Sequence, residues 1–266
     1  MDNINRDRVV HNAVGIDLFY FIKSAAFLAS MLGGLTLGVM LAFMSTAVYF
    51  MFRADADMVR GLSAHYVLII CGSGGHTAEM LQMVERSIRS EKSSHRRWAV
   101  GKDDEKSYEK ILAFEHRLLD RFSRLGLDSG TFDIVRFGRA RYVHQSWLTT
   151  PFTAILSLRD ILIILTTPPR QRPIPALRFP GVIVTNGPGT GFLFLLVARA
   201  LRLFHVVPTT RMRAIYVESW ARVKTLSLTG RMIRSLKLAD LFIVQHRPLL
   251  ADDDVVFAEN LMVLPQ

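Results

Sequence analysis

The sequence has little cysteine and only ordinary amounts of glycine and proline. A single cysteine occurs among 266 residues, so the chain forms no internal disulfide and requires no oxidising compartment. With 17 glycines, 10 prolines and 50% hydrophobic residues, it is neither collagen-like nor intrinsically disordered. No Asn-x-Ser/Thr sequon occurs, so nothing favours a lumenal domain. These absences indicate a folded chain of one domain with an appendage.

Apolar residues are concentrated near the amino terminus. Residues 24–52 contain no charged residue across 29 positions, and roughly 20 apolar helical residues suffice to cross the hydrocarbon core of a bilayer. The run is also longer than the apolar core of a signal peptide, which has about 7–15 residues. We therefore expect a transmembrane helix at 24–52 after a flank at 1–23. The charges on the two sides are too evenly balanced to set its orientation.

Positive charge is concentrated in the second half of the chain. The net charge is +10, and between Arg159 and Arg247 there are 14 Lys/Arg residues against three acids. Such a basic half on a membrane-attached domain favours an anionic membrane surface, an anionic substrate, or both, and a solvated basic face is the alternative. Nucleic acid is not expected as a partner, because the sequence contains no nucleic-acid-binding motif.

The remainder of the chain alternates strand-like and helix-like segments. Short apolar runs, which are clearest at 66–71 and 181–185, alternate with helical patterns such as 77–89 and 192–203. This alternation predicts a doubly wound, Rossmann-like α/β domain with a parallel sheet over residues 60–250, followed by a tail at 251–266. The other predicted strands are 98–100, 131–137, 214–217 and 241–245, and the other predicted helices are 106–123, 151–165 and 226–236.

Two glycine-rich turns follow predicted strands and precede predicted helices, namely 72–76 (GSGGH) and 186–191 (NGPGTG). Ligands of open α/β sheets bind beyond the carboxyl ends of the strands. Backbone N–H groups at a helix N-terminus also attract phosphate. Either turn alone could be purely structural, but together they predict a phosphate or diphosphate site. The candidate binding residues are Gly72, Ser73, Gly74, Gly75, Asn186, Gly187, Pro188, Gly189 and Thr190, with Ser219 and Arg222 beside the end of strand 214–217.

His76 and Glu218 are the candidate catalytic residues. His76 follows the glycines directly, where its imidazole would face the ligand and could transfer a proton, or could simply donate to a backbone carbonyl. Glu218 lies at a strand end and is the one acid in a long basic stretch. It could orient a sugar hydroxyl or a histidine, or could pair with Arg222 across one helical turn.

The first turn does not match nucleotide-binding motifs. A G-x-G-x-x-G pattern counted from Gly72 would need glycine at position 77, where the chain has Thr77, and the glycines of this turn are followed by His76-Thr77 instead of the Lys-Ser/Thr pair of a triphosphate-binding loop. A membrane-bound nucleotide-dependent oxidoreductase is therefore a weaker alternative, and Thr77 is instead expected to cap the helix. No metal site is expected, because the eight histidines are scattered and Cys71 has no cysteine partner.

Five blocks of sequence carry a resemblance to a known family. They are VLIICGSGGHTAEML (67–81), QSWLT (145–149), VTNGPGTG (184–191), YVESWARVKTLSLTG (216–230) and ADLFIVQ (239–245). In this order, after an apolar run, they resemble the membrane-anchoring subunit of the two-chain N-acetylglucosaminyltransferase of asparagine-linked glycosylation. The two glycine turns more remotely resemble the amino-terminal half of the bacterial lipid-linked peptidoglycan N-acetylglucosaminyltransferase.

The resemblance implies a function and a partner. The family enzyme adds the second N-acetylglucosamine to N-acetylglucosaminyl-diphosphodolichol at the cytosolic face of the endoplasmic reticulum. Its GT-B fold is divided between two chains. This chain would supply the acceptor-side half and the single-pass anchor, and a small soluble partner would bind UDP-N-acetylglucosamine. The resemblance therefore implies a heterodimer in which this chain is inactive alone, and no cofactor is expected.

The resemblance also implies roles for the candidate residues. His76 becomes the candidate base that takes the proton of the acceptor hydroxyl, and Glu218 its orienter or a contact to the acceptor, although the two roles could be reversed. The tail at 251–266 becomes a possible contact with the partner. A scaffold that contributes no catalytic residue is the alternative.

Overall fold

A computed structural model describes residues 23–24, 27, 30–31, 33–34, 38, 66–88, 90, 94–138, 150–170, 178–187, 189–250 and 255–258. The chain divides into two compact units, Met1–Phe50 and Met51–Gln266, and the described residues of the first unit are helical. Most of the predicted transmembrane helix at 24–52 lies outside the described residues, as does the block at 145–149. Within the described residues, no helix combines the length and the apolar character that crossing a bilayer requires.

The second unit contains a parallel sheet, as the sequence predicted; it has seven strands, in the spatial order β3-β2-β1-β4-β5-β6-β7. Its strands are β1 Tyr66–Ile70, β2 His95–Gly101, β3 Thr131–Phe137, β4 Val182–Thr185, β5 Arg213–Val217, β6 Leu241–Val244 and β7 Val255–Phe257. The helices are α1 Gly75–Ser87, α2 Glu105–Arg124, α3 Thr150–Thr166, α4 Thr190–Leu203 and α5 Leu228–Ser235, and a 3₁₀ turn spans Arg247–Leu249.

The strand order reverses between β1 and β4. From β1 the chain proceeds outwards to β3, then crosses back to β4 and proceeds outwards in the other direction to β7. Ile70 is paired with Thr185, so the carboxyl ends of β1 and β4 lie side by side. A crevice forms at such a switch point because the connections leave the two strands in opposite directions. Both glycine-rich turns begin at this crevice.

The core on one side of the sheet is built around Trp98. Helix α2 buries Ile111, Phe114, Leu118 and Phe122, whose spacing of three and four residues places them on one helical face. Trp98 is fully buried, and its ring packs edge-on against Phe114. The side chain of Asp104 accepts a hydrogen bond from the Ser107 N–H and caps α2. This packing holds β1 and β2 in place beneath the first glycine turn.

Strand β2 begins three residues before the predicted start, because its charged residues are paired inside the protein. The Arg96 guanidinium donates two hydrogen bonds to the Glu115 carboxylate, at 2.9 and 2.8 Å, and Trp98 Nε1 donates to the same carboxylate. Arg97 likewise donates to Asp133 on β3. Buried charges persist where such partners compensate their lost hydration.

Two further predictions require correction. Helix α1 begins at Gly75 with Gly74 as its N-cap, so Thr77 does not cap it; the Thr77 hydroxyl instead donates to the Gly72 carbonyl and shares a hydrogen bond with Ser107. The sequence also did not predict β7, whose three residues pair with β6 inside the segment assigned to the tail.

Candidate functional site

A cleft of about 320 Å³ opens at the carboxyl ends of β1, β4 and β5. Helix α1 contributes three lining residues, the position after β4 contributes one, and β5 with the loop after it contributes the others. The lining residues are Gly75, His76, Glu79, Asn186, Tyr216, Glu218, Ser219, Ala221, Arg222 and Ser227. The structure therefore brings together residues that are up to 152 positions apart in the sequence, and it does so at the place where parallel sheets bind ligands.

The two glycine turns touch each other. A Cβ atom placed on Gly187 would lie 3.5 Å from the N and Cα atoms of Gly72. A Cβ atom on Gly72 would lie 2.9 Å from the Cβ of His76, closer than side chains normally pack. Glycine at position 72 thus allows the backbone to approach both His76 and the second turn.

Asn186 joins the two turns. Its Nδ2 donates to the His76 carbonyl at 2.9 Å and to Glu79 Oε2 at 3.2 Å. The side chain is almost completely buried, and its Oδ1 has no hydrogen-bond partner among the described residues. Asn186 therefore holds the start of α1 against the end of β4.

His76 lies at the surface of the cleft with one ring nitrogen directed inward. Its side chain is 30% exposed, whereas Nδ1 is buried and has no hydrogen-bond partner within the described structure. The nearest carboxylate is Glu79, whose Oε2 lies 3.9 Å from Nδ1. Glu79 also accepts a hydrogen bond from the Ser219 hydroxyl at 3.1 Å. Sequence reasoning missed Glu79 as a site residue, although its spacing of three residues from His76 on one helix would have indicated it.

Glu218 is held by the loop that follows β5. It is 1% exposed, and its carboxylate accepts hydrogen bonds from the Ser219 N–H at 3.2 Å and from the N–H and hydroxyl of Ser227 at 3.1 Å each. Gly230 packs so closely that a Cβ there would collide with this carboxylate. Neither an ion pair with Arg222 nor a hydrogen bond with His76 is present among these described residues. The carboxylate therefore links the two ends of the loop 219–227 through these hydrogen bonds.

Tyr216 is a second lining residue that the sequence analysis did not select. Burial and the charge of Glu218 raise the pKa of its hydroxyl, which consequently stays neutral. The hydroxyl shares a hydrogen bond with the Ser227 side chain, and that side chain in turn accepts from the Gly230 N–H and caps α5. Tyr216 thus stabilises the same loop as Glu218.

Some of the predicted phosphate-binding residues line the cleft and others do not. Gly75, Asn186, Ser219 and Arg222 line the cleft, whereas Gly72, Ser73, Gly74, Gly187, Gly189 and Thr190 do not, and Pro188 lies outside the described residues. Gly74 has φ +63°, a conformation that favours glycine, and it places the first turn of α1 beside the cleft. Neither α1 nor α4 has a side-chain cap, so their first-turn N–H groups are suited to an anion.

A second, basic groove of about 590 Å³ adjoins the cleft and shares Arg222 with it. It is lined by Arg222, Thr225, Leu226, Leu228, Arg231 and Arg234. The sequence contains no acid between Glu218 and Asp240. The groove is therefore positively charged, and positive charge concentrated in a concave surface attracts anions. Within the described part of the chain, no group of three or more His, Cys, Asp or Glu residues could hold a metal ion.

Known proteins match most of the chain. Residues 67–257 match the family described as "Oligosaccharide biosynthesis protein Alg14 like". The chain is similar to the UDP-N-acetylglucosamine transferase subunit alg14 of Schizosaccharomyces pombe, with 35% identity over 180 residues, which cover 68% of this chain and 75% of that protein. It is also similar to the subunit ALG14 of Homo sapiens, with 36% identity over 67% of this chain and 74% of that protein.

The comparison with solved structures also gives a match. A crystal structure of MurG from Acinetobacter baumannii matches with a TM-score of 0.44 and 12% identity, covering 73% of this chain and 45% of that chain.

Proposed function

Because this chain belongs to the Alg14 family, we propose that it is the acceptor-side subunit of a two-chain UDP-N-acetylglucosamine transferase. The complex would add the second N-acetylglucosamine to N-acetylglucosaminyl-diphosphodolichol in protein N-glycosylation. This chain would form the amino-terminal half of a GT-B enzyme, and a soluble subunit would provide the half that binds UDP-N-acetylglucosamine. The observation that carries the proposal is the cleft at the switch point, where His76, the last residue of the first glycine turn, is joined to Asn186 of the second turn.

The charge around the cleft suits the proposed acceptor. The acceptor carries a diphosphate, and the first turn of α1 and the Arg222 side chain both lie at the cleft. Helix N-termini and arginines stabilise phosphate oxygens through N–H donors and positive charge. The basic groove continues from Arg222 along α5 and would keep the diphosphate near the reacting sugar.

In the transfer, the acceptor hydroxyl attacks the anomeric carbon of the donor sugar. The new oxygen–carbon bond forms as the bond from that carbon to UDP breaks, and UDP leaves with the electron pair. We assign His76 as the base that takes the hydroxyl proton, because its ring is accessible from the cleft. Glu218 is the weaker candidate for the base, because its carboxylate already accepts three hydrogen bonds.

The chain would act at the cytosolic face of the endoplasmic reticulum membrane. The uncharged run at 24–52 would span the bilayer. Helix α3 has exposed apolar residues that would contact the membrane surface. Exposed apolar patches of this kind are typical of membrane or protein contacts. The exposed large apolar side chains among the described ones of α3 are Ile155, Leu156, Leu158, Leu162 and Ile163.

The test is a reconstituted transfer reaction. The detergent-solubilised chain, its soluble partner and the complex of both are each incubated with UDP-N-acetylglucosamine and N-acetylglucosaminyl-diphosphodolichol. Only the complex should form the disaccharide product. In the complex, His76→Ala should lower kcat by on the order of 100-fold or more, as loss of a general base does.

The matched control is His116→Ala, since His116 is an exposed histidine on α2 outside the cleft. This variant should transfer at the wild-type rate. Turnover by the isolated chain would contradict the division between two subunits. Full activity of His76→Ala in a complex of normal composition would contradict the base assignment and favour a non-catalytic scaffold.

A further inference from the structure

Glu79 is a partly buried carboxylate on α1 that contacts residues following two strands, β4 and β5. It lies one helical turn after His76, and its side chain is 15% exposed. Oε1 accepts the Ser219 hydroxyl from the end of β5, and Oε2 accepts the Asn186 amide from the end of β4. Each oxygen is therefore fixed by a neutral donor. No arginine or lysine forms an ion pair with Glu79 within the described structure.

The fixed oxygen Oε2 faces the buried nitrogen of His76. Oε2 and Nδ1 are 3.9 Å apart, and Nδ1 has no other partner among the described residues. A small rotation of either side chain would bring them to hydrogen-bonding distance, and such contacts are often long before substrate binds. A neutral imidazole has one N–H, so a carboxylate opposite Nδ1 favours the tautomer that carries the proton there.

We propose that Glu79 is a positioning residue that keeps the proton of neutral His76 on Nδ1 and leaves Nε2 free to accept the proton of the acceptor hydroxyl. The inference rests on the proposed function for the identity of that hydroxyl, but the tautomer itself is a property of this chain alone. When Nε2 takes the proton, the ring becomes a cation, and the Glu79 carboxylate stabilises that cation.

Among the described residues that line the cleft, the two carboxylates are Glu79 and Glu218. Glu218, the other carboxylate at the cleft, is occupied by the loop after β5. Arg222 and Tyr216 also line the cleft, but neither can take the place of the Glu79 carboxylate beside the imidazole. The Arg222 side chain is a cation and the Tyr216 hydroxyl is neutral. Glu79 is therefore the carboxylate that can select the tautomer.

The test is the tautomeric state of His76 in the full chain. The chain is labelled with ¹⁵N-histidine, solubilised in detergent, and observed by NMR at alkaline pH, where imidazoles are neutral; His76→Gln identifies the signal. Wild-type His76 should carry its proton on Nδ1. Glu79→Leu should shift the proton to Nε2, whereas Glu79→Gln should retain it on Nδ1, because an amide oxygen can accept from Nδ1 while the amide nitrogen donates to Ser219.

Transfer by the complex provides the second measurement. Glu79→Gln should lower kcat by about 10-fold and Glu79→Leu by about 100-fold, with KM for the acceptor within about twofold of wild type, because the base rather than binding is impaired. In the NMR measurement, Ser219→Ala is the control variant. It removes one hydrogen bond to Glu79 but retains the carboxylate, so His76 should keep its proton on Nδ1.

A proton on Nε2 in the wild-type chain would overturn the inference, whether or not the variants fold. An Nδ1 proton that persists in Glu79→Leu would overturn it as well. Failure of the wild-type complex to transfer sugar would instead contradict the proposed function, and the tautomer measurement would be unaffected.

Discussion

The Glu218 carboxylate accepts three hydrogen bonds, and it would have to release at least one of them to act as a base. The carboxylate connects the two ends of the loop 219–227 through Ser219 and Ser227. We predict that Glu218→Gln lowers the free energy of unfolding by about 1–3 kcal/mol, because the amide nitrogen that replaces one oxygen cannot accept a hydrogen bond from an N–H group. Denaturant unfolding of the solubilised chain measures this loss without partner or substrate.

Glu109→Gln is the control for that measurement, since Glu109 is exposed on α2. Its free energy of unfolding should stay within about 0.5 kcal/mol of the wild-type value, as for most surface substitutions. If Glu218→Gln left stability unchanged while abolishing transfer, the base role would pass from His76 to Glu218.

Asp133, on the edge strand β3, makes the free energy of unfolding depend on pH. Burial alone would raise the pKa of Asp133, but hydrogen bonds from His95 and Arg97 outweigh burial and lower it. A lowered folded-state pKa contributes stability above the unfolded-state value of about 3.9, and this contribution disappears as the pH falls through the folded-state value. Wild type should therefore lose its stability advantage over Asp133→Asn in that acidic range. An advantage that stayed constant throughout the titration would contradict the assignment.

Individual site residues were predictable where they lie within a few positions of a predicted strand end, as Glu218, Ser219 and Arg222 also do. His76, Gly75 and Asn186 follow strand ends in the sequence, and the structure places all three at the cleft. The helical spacing of Glu79 from His76 was a local signal, but the hydrogen bonds of Glu79 with Asn186 and Ser219, 107 and 140 positions away, could not be predicted. Contacts of that range depend on the order of strands in the sheet, which local sequence patterns do not contain.

At the scale of elements, α5 and the loop before it carry the basic groove. Arg222 and Arg231 line it, and Arg222 also lines the cleft. We predict that replacing both with alanine raises KM for the diphosphate acceptor by about 10-fold or more, because charge-assisted hydrogen bonds to phosphate are lost. KM for UDP-N-acetylglucosamine should change little, since the proposed partner would bind the donor. Steady-state transfer assays with each substrate varied in turn measure both values.

Arg117→Ala is the matched control, because Arg117 is exposed on α2 and lines neither groove. Its kinetics should equal those of wild type. Equal increases in both KM values for the double variant would show that the groove contacts the donor or the partner instead of the acceptor.

The periodicity of apolar residues predicted the elements well where one face is buried. Helix α2 was predicted at 106–123 and spans Glu105–Arg124, because its apolar residues recur at helical spacing. Strand β2 was predicted too short, because the buried pairs of Arg96 with Glu115 and Arg97 with Asp133 make its charged residues compatible with the core. Strand β7 has only three residues, too few for a periodic pattern, and pairing with β6 defines it.

At the scale of the whole molecule, attachment to the membrane would confine the enzyme to the surface that contains its lipid-linked acceptor. The charge-free run at 24–52 is the segment expected to provide this attachment. Confinement raises the local concentration of one reactant near the other without any new contact at the cleft. The apolar run should therefore affect the rate on membrane-embedded acceptor far more than the reaction at the cleft.

We predict that deletion of residues 1–52 lowers transfer to acceptor embedded in vesicles by about 10-fold or more at equal complex concentration, since tethering effects commonly reach 10²–10⁴. Transfer to a short-chain, water-soluble diphosphate acceptor should remain within about twofold of the full-length rate, because the residues that line the cleft all follow position 74. Replacement of 24–52 by an unrelated transmembrane helix of equal length should restore activity on vesicles, since any span would provide the same confinement. If the deletion impaired both reactions equally while the replacement rescued neither, the run would contribute specific contacts to the enzyme, and its role would extend beyond anchoring.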